Sequence, residues 1–265
     1  MVFKIGTYNI LGLKGYPASE SRKEIDIPGT EKNTEHFSQV FSDLSCHVLG
    51  LQEGASVNVV QSIAKRLNYN LATFPSPMAW PGHVLSRISI RESRTFSHFD
   101  PDHELPLFSR TIGAALLTDR NNQNLWVINV HLHPSDTELR IREGVFLCSI
   151  LEELQKSVPA IVVLGDFNSE ENENVHKELD KIGFINAMTK VGGGVQATMD
   201  TYGIKKQCID HVYFSRDISE RLIGAEVVRL SGFRSDEPAK ENMWVHSDHL
   251  PVVATLDWDF GKNLV

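Results

Sequence analysis

The apolar, β-type runs of this chain keep meeting an acid, an amide or an imidazole at their ends. Phe3-Lys4-Ile5-Gly6 leads to Asn9, His47-Val48-Leu49-Gly50-Leu51 to Glu53, and Leu125-Trp126-Val127-Ile128 to His131. Ala160-Ile161-Val162-Val163-Leu164 leads to Asp166 and Asn168. Asp210 follows Ile209, and Asp248-His249 stand before Val252-Val253-Ala254-Thr255-Leu256. Strand ends are rigid mounts, so polar groups placed there can converge on one cleft. Oxygen ligands suit a hard divalent cation, and an Asp–His pair suits activation of water. This pattern points to a metal-assisted hydrolase.

Strand-like runs are expected near 3–10, 47–52, 69–74, 83–90, 112–118, 124–131, 160–165, 208–214, 223–230 and 251–257, and helices near 33–45, 56–67, 137–156 and 173–182. Strand pairs without intervening helices alternate with strand–helix units. The mixture predicts an α/β fold: a four-layer sandwich of two packed mixed/antiparallel β-sheets flanked by helices. No repeat or linker-like composition divides it, so residues 1–265 are read as a single catalytic domain. In the third helix, Leu139, Val145, Leu147, Ile150, Leu151 and Leu154 are expected to form the apolar stripe. Irregular stretches at 14–32, 75–82, 189–206 (with Lys205) and 231–246 (with Arg234) read either as borders of a site or as disorder.

A net charge of −8 argues against a surface built to grip long duplex by its phosphates, but not against a nuclease with bound cations. Cys46, Cys148 and Cys208 are odd in number and lack metal-type spacing, so reduced thiols are expected. Neither a membrane span nor a signal peptide is visible, and the expected location is cytoplasmic. The glycines at 192–194 lack the Lys-Ser/Thr of a phosphate loop, and no Gly-x-Ser-x-Gly elbow occurs.

Taken singly, each site residue has a plain structural reading beside the functional one. Asp166 and Asn168 could close a strand with an Asx turn, or handle water and a phosphoryl oxygen. Glu53 could favour the start of the following helix, yet a carboxylate ending an apolar strand is better explained by a cation. Asn9 could support Glu53 or a phosphate. His131 could protonate a leaving oxygen or bind phosphate as a cation. Asp210 is the candidate partner fixing the tautomer of His249. Arg110 is a candidate phosphate clamp, with a surface salt bridge as its alternative. His83 is a candidate substrate contact beside the Pro/Trp loop. Strand alternation turns His211 away from Asp210, and His36, His47, His98, His103, His176 and His246 read as structural or solvent-facing.

Together, Thr7-Tyr8-Asn9, Leu51-Gln52-Glu53, Gly82 to Arg87, Asn129-Val130-His131-Leu132, Gly165-Asp166-Phe167-Asn168, Ile209-Asp210-His211-Val212 and Ser247-Asp248-His249 resemble the endonuclease/exonuclease/phosphatase superfamily with its deoxyribonuclease I-like fold. The pieces occur in the family's order across almost the whole chain. The resemblance implies Glu53 as the main Mg²⁺ ligand, with Mn²⁺ as a substitute, helped by Asn9 and Asp248. It implies Asp166 and Asn168 at the water and the phosphoryl group, Asp210 with His249 at the phosphate, and His131 opposite. Asp210-His211 replaces the Asp-Tyr or Asp-Arg of several nuclease branches. Gly82-His83 stands where many members have Gly-Asn or Gly-Asp. The Trp-Cys-Asp-Arg pattern of inositol polyphosphate 5-phosphatases is absent.

The leading expectation is a Mg²⁺-dependent phosphodiesterase or nuclease, a monomer acting on nucleic acid, nucleotide or another phosphodiester. The alternatives are a sphingomyelinase-like or small-molecule phosphoesterase, suggested by Met78/Trp80 and Phe233/Trp244, and a non-catalytic binding protein on the same fold.

Overall fold

The computed structural model describes residues 2–17, 24–97, 107–200, 206–233 and 244–261. His98, His103, Lys205 and Arg234 lie outside them. Strand β1 (Val2–Asn9) passes through a 3₁₀ turn (Leu11–Leu13) to α1 (Glu31–Asp43), β2 (Val48–Gln52) and α2 (Val57–Leu67). Then β3 (Asn70–Phe74), β4 (Gly82–Ser86), β5 (Ser89–Thr95), β6 (Ile112–Thr118) and β7 (Asn124–His131) follow without helices between them. Next come α3 (Thr137–Gln155), β8 (Ile161–Asp166), α4 (Asn174–Lys181), β9 (Phe184–Asn186) and α5 (Ala187–Val191). The ribbon β10 (Met199–Asp200) and β11 (Lys206–Gln207) precedes β12 (Asp210–Ser215), α6 (Arg216–Ser219), β13 (Leu222–Val227) and β14 (Val252–Asp257).

Two six-stranded mixed sheets result, in the orders β13-β14-β1-β2-β4-β3 and β5-β6-β7-β8-β12-β9. Each is antiparallel except at its centre, where β1 runs parallel to β2 and β7 to β8. Period-two alternation builds two cores. Val162 and Leu164 join Leu49, Leu51, Val253, Phe37 and Ile63 in a cluster running from α1 and α2 through the first sheet to the second. Ile161 and Val163 point the other way, to Trp126, Leu147, Leu151 and Leu179 beneath α3 and α4. Among the described residues no helix is long and apolar enough to cross a membrane.

Caps explain the helix starts. Thr30 accepts a hydrogen bond from Asn33 N–H ahead of α1, and Asp136 from Leu139 N–H ahead of α3. The buried face of α3 differs from the expected stripe. Leu147, Leu151 and Leu154 are buried, but Val145 is 53% exposed and Arg140 and Glu143 turn inward. Both inward charges have partners: Arg140 pairs with Glu173 at 2.8 Å, and Glu143 accepts three hydrogen bonds. Partnered charges can occupy a helix's inner face, and here they rotate it away from Val145.

The run expected at 83–90 is not one strand. Ser86 Oγ accepts from Ile88 N–H at 2.9 Å and donates to Ile88 O at 2.8 Å. That turn sends β4 into the first sheet and β5 into the second.

Candidate active site

Register assembles the site at one edge of the sandwich. In the second sheet, β7 pairs His131 with Asp166 of β8, and Asp166 in turn lies opposite Asp210 of β12. In the first, Asn9 pairs with Gln52, so Glu53 emerges beside it. The close approach of β8 to β7 depends on Gly165, whose φ is +150° and whose added Cβ would stand 1.9 Å from the Val130 carbonyl oxygen.

A polar bridge crosses between the sheets just behind these residues. Gln52 Nε2 donates to Asn129 Oδ1 at 2.6 Å and Thr7 Oγ1 to Gln52 Oε1 at 3.1 Å. Asn129 Nδ2 donates to the carbonyls of Leu51 and His83 at 2.8 and 3.0 Å.

Asp166 is the centre of the constellation. Its Oδ2 accepts from Asn9 Nδ2 at 2.9 Å and its Oδ1 from Asn168 N–H at 2.9 Å. Burial, and then the charge of Asp210, raise its pKa. His131 Nε2 lies 3.7 Å from Asp166 Oδ2 and 3.9 Å from Glu53 Oε1. His249 Nε2 stands 3.9 Å from the same Asp166 oxygen, while its Nδ1 meets Asp210 Oδ2 at 2.8 Å.

The two imidazoles differ electrically. Desolvation drives His131 down to about 4, so it is neutral at neutral pH, and the expected cationic role does not fit its surroundings. For His249 desolvation works against the charged form, but the carboxylates of Asp210, Asp166 and Asp248 outweigh it and hold the pKa at about 10. His249 is therefore the imidazolium of the cleft.

Glu53 has left-handed backbone (φ 49°), and the chain on either side of it is clamped. Gly12 N–H donates to Glu53 O at 2.7 Å and Gly54 N–H to Pro81 O at 2.8 Å. Burial pushes the Glu53 carboxyl up to about 7, and its Oε2 is buried without a hydrogen-bond partner. Donor atoms of Glu53, His131 and Asp166 lie within 4.8 Å of one another, as do those of Asp166, Asp210 and His249. An orphaned carboxylate oxygen beside further carboxylate and imidazole donors fits a divalent cation.

Other candidates sit differently. Asn9 uses its Oδ1 to accept from Leu11 N–H at 3.2 Å, so its amide braces the carboxylates with both ends engaged. Asp248 is half-buried and outside both groups of converging ligand atoms, although its charge acts on Glu53 and His249. Arg110 is half-buried, with its charge bearing on His131. Asn168, at φ 50°, donates from Nδ2 to Leu132 O at 3.0 Å.

His83 does not reach the cleft surface. It is fully buried, with Nδ1 3.0 Å from Thr73 Oγ1 and Nε2 3.0 Å from Ala55 O. A Cβ on Gly54 would meet its ring at 2.2 Å. Both ring nitrogens are thus spent on holding the turn behind Glu53, which leaves none for a substrate. Phe233 and Trp244 are also buried, packed against His246.

Two residues at the site escaped the sequence reading. Glu143 is fully buried; its Oε1 accepts from Ser109 N–H and Oγ at 2.7 Å, and its Oε2 from His133 N–H at 3.0 Å. It ties down the segments beside Arg110 and His131. The signal was available, because Glu143 shares the i, i+4 line of Leu147 and Leu151. Tyr8 has a buried hydroxyl without a hydrogen-bond partner, and its pKa is raised by burial and then by Asp248 and Asp210.

Comparison of the sequence with curated proteins gives no match. Solved structures align along nearly the whole chain. A Bacteroides thetaiotaomicron endonuclease/exonuclease/phosphatase family protein is 15% identical with a TM-score of 0.72, over 97% of this chain and 95% of that one. Truncated TDP2 of Caenorhabditis elegans is 16% identical with a TM-score of 0.69, over 97% of each chain. A Bacteroides thetaiotaomicron mannosyl-6-phosphatase is 15% identical with a TM-score of 0.72, over 97% of this chain and 100% of that one. The family profile described as Endonuclease/Exonuclease/phosphatase family matches residues 6–236, and the chain belongs to that family.

Proposed function

We propose that this phosphoester hydrolase is a Mg²⁺-dependent phosphodiesterase of nuclease type, with Mn²⁺ as a substitute metal. The observation carrying the reading is the buried, unpartnered Oε2 of Glu53, a carboxylate that offers a donor atom within 4.8 Å of donor atoms on His131 and Asp166. Glu53 is the principal ligand, His131 and Asp166 offer further donor atoms, and Asp248 adds negative charge nearby. When bound, the ion supplies charge neutralisation at a phosphoryl oxygen.

The chain's own groups do the rest. Asp166, with both oxygens braced and its pKa raised, holds and deprotonates the attacking water. The His249 imidazolium, fixed by Asp210, donates to a phosphoryl oxygen and offsets charge developing there. Asn168 presents its amide to the same group. His131, neutral, hydrogen-bonds from the opposite side, and Arg110 contributes a guanidinium at the rim. Attack is in line with the leaving oxygen.

The sphingomyelinase-like alternative has less support, since of its four side chains Phe233 and Trp244 are buried while Met78 is 63% exposed. A panel of single- and double-stranded DNA, RNA, bis-p-nitrophenyl phosphate, p-nitrophenyl phosphate and sphingomyelin vesicles, run with Mg²⁺, Mn²⁺ and chelator, tests the reading. Diester cleavage should require metal and fall by at least about a thousandfold in Glu53→Ala. Undiminished turnover in chelator or in Glu53→Ala would sink it. Turnover of the monoester alone would move the activity to a phosphatase, and turnover of vesicles alone to a lipid phosphoesterase.

A further inference from the structure

Behind the cleft, on the face of β8 and β12 opposite Asp166 and Asp210, lies a second polar group that none of the chemistry above uses. His176 of α4 places Nδ1 2.9 Å from Tyr213 OH and Nε2 2.9 Å from Ser169 Oγ. The same Nε2 lies 3.2 Å from Ser169 O, and His211 Nε2 approaches that carbonyl at 3.1 Å. Asn186 Nδ2 closes the group 3.3 Å from His211 Nδ1. The rings of His176 and His211 are 4.5 Å apart, and Phe167 packs against both. Every member is at least 95% buried.

Burial holds His176 at about 4 and His211 at about 3, so each ring carries one N–H. With Nε2–H on both, two imidazoles donate to the single carbonyl of Ser169. His176 Nδ1 then accepts from the Tyr213 hydroxyl, and His211 Nδ1 from the Asn186 amide. These assignments are mutually consistent for the Ser169, Tyr213 and Asn186 contacts, and His211 also lies against the Cys208 backbone.

Ser169 directly follows Asn168, which takes a left-handed φ of 50°, a conformation asparagine adopts more readily than most L-residues. Asn168 N–H also holds Asp166 Oδ1, so any slackness at Ser169 passes to both site residues. His211 and Tyr213 belong to the strand that carries Asp210, which ties the loop to the Asp210–His249 pair.

We propose that the His176–Ser169–His211 clasp, with Tyr213 and Asn186, is a set of positioning residues fixing Asn168 and Asp166 against Asp210 for the reaction. The proposal rests on the site reading given above. Its test therefore combines turnover with a measurement independent of activity: hydrogen exchange at the Asn168 backbone amide. His176→Phe keeps the ring packing and removes the hydrogen bonds to Tyr213 and Ser169, and Tyr213→Phe removes only the hydroxyl. Leu179→Ala, on the same helix but in the apolar core, is the control for general destabilisation.

In His176→Phe, kcat per folded molecule should fall about 10- to 100-fold, with KM and metal affinity within about twofold of the parent. Exchange at Asn168 should quicken at least about tenfold while that at Val163 holds. Tyr213→Phe should show a smaller loss in the same direction, and His211→Gln, which can still donate to Ser169 O, should keep most of the activity. The Leu179→Ala variant should leave kcat per folded molecule unchanged. Unaltered Asn168 exchange in His176→Phe, or an equal kcat loss in Leu179→Ala, would overturn the clasp. A parent protein inactive on every phosphoester would instead overturn the site reading, and the exchange result would still decide the clasp.

Discussion

At the scale of the residue, Glu53 and His249 are the groups whose ionisation sets the working range. Glu53 sits at about 7 because burial costs its charged form solvation, and His249 at about 10 because three carboxylates outweigh the same cost. Were Glu53 to hold the proposed cation, a proton would compete with it below pH 7, and the carboxylate would be freed as pH rises through 7. Apparent Mn²⁺ affinity should therefore gain nearly tenfold per pH unit from about pH 5.5 to 7 and then level off. Turnover should stay on its plateau until pH approaches 10, where His249 loses its proton. Calorimetric titration at half-unit steps checks the first limb, and an affinity independent of pH between 5.5 and 8 would contradict it. Residue identities at the strand ends were readable because chemistry and apolar run adjoin in the sequence. The charge state of His131 was not, since its value of about 4 comes from burial created only when the sheets close. His83 misled for the same reason: its partners, Thr73 and the Ala55 carbonyl, become neighbours only in the folded sheet.

At the scale of the element, the sheets are joined by packing and by one polar bridge, Thr7–Gln52–Asn129, immediately behind Glu53. Asn129→Leu would strand Gln52 Nε2 and the carbonyls of Leu51 and His83 in the core, at about 1–3 kcal/mol for each buried group left unpaired. Thermal unfolding of that variant should come on the order of 10 °C lower. A melting point within a degree or so of the parent would mean the bridge contributes nothing. Most elements were legible from period and capping: β6 falls on the expected 112–118, and α3 within a residue of 137–156. The split between β4 and β5 was hidden, because alternation continues across Arg87-Ile88 and only the Ser86 hydroxyl turn redirects the chain. The inner face of α3 was legible only in part: Glu143 lies on the line of Leu147 and Leu151, but the partners that let it and Arg140 turn inward, Ser109, His133 and Glu173, arrive from elsewhere in the chain.

At the scale of the whole molecule, the site straddles the seam. Asn9 and Glu53 come with the first sheet, while His131, Asp166 and Asp210 come with the second. A cluster containing Leu49, Leu51, Leu164 and Phe214 is shared by both sheets, so neither sheet keeps a closed core without the other. We propose on this ground that residues 1–265 form one cooperative domain. Trp126 reports on the core beneath α3, and Trp258 on the core of the first sheet, so in a background with Trp80 and Trp244 replaced by Phe, Trp258→Phe and Trp126→Phe variants separate the two signals. In urea, each variant's fluorescence and circular dichroism transitions should coincide, as expected of a single cooperative unit. Metal at about a hundred times its dissociation constant should add roughly 2.7 kcal/mol and raise the midpoints of both cores together, because the proposed ligands Glu53 and Asp166 would hold the ion from different sheets. Separate transitions, or a metal-induced shift confined to one tryptophan, would instead divide the chain into two units meeting at the cleft.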